Sequence, residues 1–77
     1  MKLVVRNLID GAFYRSPEAW VASATEATEV GGVREALELC KGQALENLEL
    51  LGVSEDGSLC GGHHLLKLAE HHRDNSL

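Results

Sequence analysis

The residues with most chemical potential stand in one short run, Cys60-Gly61-Gly62-His63-His64, with His71 and His72 further on. Thiolate and imidazole are the usual ligands of zinc, which gathers four donors at about 2.0–2.3 Å. Cys-x-x-His suits one half of such a site. The other half fits poorly, because chelating side chains on a helix stand four positions apart. Four positions on from His63 and His64 are Lys67 and Leu68. His71 and His72 lie two or more helical turns away, over about 10 Å along the axis. The run supports a zinc site of Cys60, His63 and His64 as an alternative reading, joined by Cys40 only if the fold brings it close. The plainer reading sets His71, His72 and Arg73 near a helix C-terminus, where cations complement the macrodipole.

Other chemistries find weaker footing. Gly57-Ser58-Leu59-Cys60-Gly61-Gly62 imitates the glycine spacing of a phosphate-binding loop. Such a loop needs Lys and then Ser or Thr after its last Gly, and His63 and His64 stand there instead. A glycine-rich linker is the better reading. A nucleophilic cysteine needs a nearby base and a third orienting group. Cys40 fits an apolar helix stripe and reads as core. The serines lack a Gly-x-Ser-x-Gly setting, and the carboxylates scatter over predicted helix surfaces. No catalytic residue is assigned, and the chain is expected not to be an enzyme. Arg6 and Arg15 could share a strand face and hold an anion or an acidic peptide, or be ordinary solvated strand residues. Trp20 could anchor a partner or serve as the main core residue.

Five elements would have to position these groups. Lys2 to Ile9 is rich in Val, Leu and Ile, and Asp10-Gly11 precedes Ala12-Phe13-Tyr14-Arg15. Asp-Gly between apolar runs signals a hairpin, with strands at about 2–8 and 12–15. A two-residue loop would set Arg6 opposite Arg15, an unfavourable like-charge pair. A three-residue loop with Gly11 as a bulge sets Arg6 opposite Tyr14 and is preferred. Residues 16–30 read either as a helix begun by Ser16-Pro17-Glu18, or as a turn, a short strand near Trp20-Val21 and one helical turn near 25–28. Val33, Ala36, Leu37, Cys40 and Ala44 recur at helical spacing, so a central amphipathic helix is expected over 33–43, ending near Gly42. Residues 45–53 read by composition as a continuation of that helix across Gly42 to Gly52, or as a turn and then a strand from 48 to 53, since a hairpin is marginal alone and wants a third strand. A polar turn follows at 54–58. A last helix is expected over 63–73, with Leu65, Leu68 and Ala69 as its apolar face.

Residues 3–53 resemble a group of very small bacterial proteins without an assigned function. The shared outline is Arg6-Asn7, Gly11, Phe13-Tyr14, Trp20, Ala27, Val30, Glu35-Ala36 and Leu45-Glu46-Asn47. The position of Val30 is more often Phe in that group, and the tail from Ser54 on departs from its pattern. The resemblance implies a β-hairpin packed on one helix with a further strand after it, which tips 48–53 towards strand. It implies no catalytic residues.

The totals bound the rest. A chain of 77 residues with net charge −5 is expected to be one domain with a radius of gyration of about 11–12 Å. It buries a modest share of its surface, so oligomerisation would usefully enlarge the core. Apolar residues make up 44%, which argues against wholesale disorder. The acidic balance argues against nucleic acid as partner. Apolar runs reach only four residues, at Ala19-Trp20-Val21-Ala22, against about twenty for a membrane helix. The start lacks a signal-peptide stretch, so a cytoplasmic protein with free thiols is expected. The expected fold is α+β: N-terminal hairpin, central helix, third strand and C-terminal helix, the alternative being mostly α with a hairpin. One domain would divide into a ββαβ-like core (1–53), a glycine-rich linker (54–62), the helix 63–73 and a frayed tail (74–77). The expected role is a non-catalytic protein-interaction module, with homo-oligomerisation as one form it could take, acting through a sheet edge or the last helix and needing no cofactor.

Overall fold

The computed structural model describes residues 1–16 and 18–75, with side chains as far as residue 70. The fold is α+β. A five-stranded sheet is ordered β3-β2-β1-β4-β5, and every neighbouring pair is antiparallel. The strands are β1 (Lys2–Asn7), β2 (Phe13–Ser16), β3 (Ala19–Val21), β4 (Leu48–Val53) and β5 (Leu59–His64). Helix α1 spans Val33–Leu39 and α2 spans Leu65–Asn75.

The two central strands explain the sheet. β1 pairs with β4 along its whole length, from Lys2↔Val53 to Asn7↔Leu48. Successive side chains on a strand alternate faces, so each strand feeds two apolar layers. Val5, Leu48 and Leu50 join Tyr14, Val30, Ala36, Cys40 and Leu65 under the two helices. Val4, Leu51 and Val53 join Phe13 and Ala27 on the other face, beside a single 3-10 turn at Ala24–Glu26. Residues 48–53 are therefore strand. Their helix-forming composition yields because a strand there is apolar on both faces, and local propensity is the weaker term.

The hairpin loop is wider than either register considered above. Arg6 lies opposite Phe13, not Tyr14 or Arg15. The loop satisfies its own amides: the Asn7 Oδ1 accepts from the Ile9 N–H at 2.8 Å, and the Asp10 Oδ1 from the Ala12 N–H at 3.0 Å. Asx turns of this kind compete with ladder pairing. Beyond Phe13 the strands part, and residues 28–30 fill the gap. The Thr28 N–H donates to the Tyr14 carbonyl at 3.0 Å and the Val30 N–H to the Leu3 carbonyl at 2.8 Å. Over 16–30 the turn–strand–helical-turn reading holds, and the helix reading does not. Pro17, on which the helix reading leaned, lies outside the described residues.

Helix α1 is shorter than the expected 33–43. It ends at Leu39 with Cys40 as its C-cap, and the chain turns through Gly42, whose φ of +90° suits glycine. Ala44 is consequently exposed. The Glu35 carboxylate accepts from the Gly31 N–H at 2.5 Å and helps to fix the helix start. The stretch read as a glycine-rich linker holds a turn at 54–58 and then a strand. Pairing with β4 drives this, and the extra glycine is absorbed as a bulge between Cys60 and His63. Gly61, with φ +76°, takes the left-handed position that such a bulge requires. His63 and His64 thus belong to β5, and α2 begins two residues later than expected. It runs on through Asn75, and residues 76 and 77 of the expected frayed tail lie outside the described residues.

Candidate functional site

Register decides which of the reactive side chains can meet. Cys60 pairs with Gly52 and His63 with Leu50. Both partners belong to the helix-bearing face of β4, so Cys60 and His63 share that face. His64 pairs with Glu49, which points to the other face alongside Arg6. The trio Cys60, His63 and His64 therefore has no common centre. Strand alternation separates what a helix or loop would have let converge. Among the described residues, no three His, Cys, Asp or Glu side chains come together in an arrangement that could hold one metal ion. The side chains of His71 and His72, and the macrodipole role read for them with Arg73, lie outside the described residues.

Cys60 instead meets a residue from the far end of the chain. Its thiol lies 3.7 Å from the Met1 sulfur. The space exists because position 52 is glycine: a Cβ there would stand 2.5 Å from the Met1 sulfur and 3.1 Å from the Cys60 sulfur. Leu3, Leu50 and His63 line the same shallow depression. Cys60 is half-buried, whereas Cys40 is fully buried, and both thiols are free. Burial pushes the Cys40 thiol above its ordinary value, which makes it a poor nucleophile.

The glycine run does not build a phosphate loop. Gly57 belongs to the turn, and a strand follows Gly62 where a phosphate loop would open a helix. Arg6 is not paired with Arg15. Its guanidinium meets the Glu49 carboxylate at 2.5 Å, and Arg15 is exposed on β2. A carboxylate of the chain itself thus occupies the arginine that would have faced an anion. Trp20 is half-buried on β3 and packs edge-on to Tyr14, with ring centroids 5.3 Å apart at 84°. It shares the core with Tyr14 rather than dominating it.

The sequence reading missed Met1 and Glu49. Neither carries a local signal. Met1 is 59 positions from Cys60 and Glu49 is 43 from Arg6, so only strand pairing reveals them. No family model matches the chain, and neither a curated protein nor a solved structure matches it significantly. Among the described residues, no helix is long and apolar enough to cross a membrane.

Proposed function

We propose that this chain is a non-catalytic protein-interaction module that pairs with a second copy of itself along the outer edge of β5. One observation carries the reading. β5 ends the sheet, and its six residues include no Lys, Arg, Asp, Glu or Pro. Exposed edges are ordinarily blunted by such residues, because open backbone groups recruit other strands. Here only the bulge at Gly61-Gly62 interrupts the edge.

Charge favours the same strip. Each copy carries net charge −5, so two copies approach with least repulsion where carboxylates are missing. Leu59, 43% exposed at the start of β5, adds apolar contact. Antiparallel pairing of two β5 strands is a two-fold, isologous arrangement. It would join two sheets and extend a thin core.

Sedimentation of the reduced full-length chain over a wide concentration range tests this. A monomer–dimer equilibrium is expected, weakened at least about tenfold in Leu59→Lys by a charge placed on the shared edge. A monomer at every concentration up to millimolar overturns the reading. Association unaffected by Leu59→Lys removes the interface from β5.

A further inference from the structure

Two sulfur atoms and an imidazole line one depression on the helix-bearing face, beside the edge of β5. The sulfurs of Met1 and Cys60 are 3.7 Å apart over Gly52. His63 lines the same depression from the far side of the bulge, with an exposed side chain. The remaining wall includes Leu3 and Leu50, which offer no competing donor.

The spacing suits one bridging ion. With metal–sulfur bonds of about 2.3 Å, the length of a zinc–thiolate bond, sulfurs at this separation subtend an angle of roughly 107° at the metal. That is within a few degrees of the tetrahedral angle. The donor set selects the metal. Thioether with thiolate is a soft pair that prefers Cu(I) to the harder divalent ions. Three donors leave zinc one short of its usual four, while a monovalent d¹⁰ ion is content with three.

The geometry points to a site for a soft monovalent metal ion, Cu(I) or its analogue Ag(I), formed by the Met1 thioether, the Cys60 thiolate and the His63 imidazole. Binding replaces the thiol proton: the Cys60 S–H bond breaks, a sulfur–metal bond forms, and one proton leaves to solvent for each ion bound. No change of oxidation state is involved. Gly52 is part of the site, because any side chain there would fill the space that brings the sulfurs together. The site is independent of the pairing proposed above, since these donors project from a sheet face and not along its hydrogen-bonding edge.

The chain has a single methionine, which makes the test direct. The reduced full-length chain, carrying ¹³C in its methionine methyl, is titrated anaerobically with Ag(I), and in parallel with Cu(I) against a chromophoric Cu(I) chelator. One equivalent per chain is expected, with a shift of the single Met1 methyl resonance complete at that point. Cys60→Ser should weaken binding by at least about tenfold, the lower end of what loss of an outer ligand partner already costs. His63→Phe should weaken it while the Met1 resonance still moves. Circular dichroism of each variant confirms that it is folded. The Leu59→Lys chain should bind as the parent does, which separates this site from self-association. A Met1 resonance unmoved at one equivalent overturns the proposal. So does a folded Cys60→Ser or His63→Phe chain that binds as tightly as the parent.

Discussion

Asp56 shows how much one residue can organise without being buried. Its carboxylate accepts from the Ser54 hydroxyl at 2.5 Å and from the Ser58 N–H at 2.9 Å, closing the turn into β5. Those bonds, led by the one from Ser54, lower its pKa from 3.8 to about 2. A depressed carboxyl favours the folded state above its unfolded value. That contribution is therefore present above about pH 4 and lost as pH falls towards 2. A carbon-detected NMR titration should place Asp56 near the low value, and Ser54→Ala should return it towards 3.8. An Asp56 that titrates ordinarily in the parent chain would mean the turn is not closed in this way. The Arg6–Glu49 pair, by contrast, spans the two central strands with side chains 30% and 15% exposed. A partly solvated cross-strand pair contributes at most about 1 kcal/mol. Its chief effect is to hold Arg6 away from outside anions.

Among the elements, β5 is the least self-sufficient. Its sequence, Leu-Cys-Gly-Gly-His-His, has poor strand propensity, and it forms because β4 offers a ladder. The bulge is what makes the ladder fit. Gly61 has φ +76° with open space where a Cβ would stand, so Gly61→Ala should cost about 1 kcal/mol from backbone strain alone. Gly62 has φ +132° and the Glu49 carboxylate oxygen 2.8 Å from an added Cβ, so Gly62→Ala combines strain with a clash. Urea unfolding should show Gly62→Ala as the more destabilising of the two. The reverse order would mean that Glu49 does not lie beneath Gly62. The same ladder makes β4 a strand. Its leucines would serve a helix equally well, but only as a strand do Leu48 and Leu50 reach one layer while Leu51 and Val53 reach the other.

At the scale of the whole molecule, the radius of gyration of 11.8 Å agrees with the value expected for a folded domain of this length. The two cysteines report on different depths of the structure. Cys40 is completely buried in the layer under the helices, and Leu65, also completely buried, docks the start of α2 on that layer. Alkylation with iodoacetamide should therefore modify Cys60 in the native state and Cys40 only through unfolding. Leu65→Ala should destabilise the chain by about 2–5 kcal/mol and speed modification of Cys40 far more than of Cys60. Equal reactivity of the two thiols in the parent chain would place Cys40 outside the core.

Local chemistry was legible without the structure. The amphipathic period marked α1, the Asp10-Gly11 pair marked a hairpin, and Leu65 and Leu68 marked the inner face of α2, because each signal is complete within a few residues. Tertiary structure decided whatever depends on partners far along the chain. β5 is a strand only beside β4. The Asn7 and Asp10 side chains widened the hairpin loop beyond any register read from its glycine. Alternation along β5 put His64 on one face and Cys60 with His63 on the other, which undid the ligand trio suggested by sequence adjacency. The same pairing brought Met1 to Cys60 from the opposite end of the chain. A sheet is assembled from non-local hydrogen bonds, so its faces and neighbours are fixed by register, and register is a property of two strands at once.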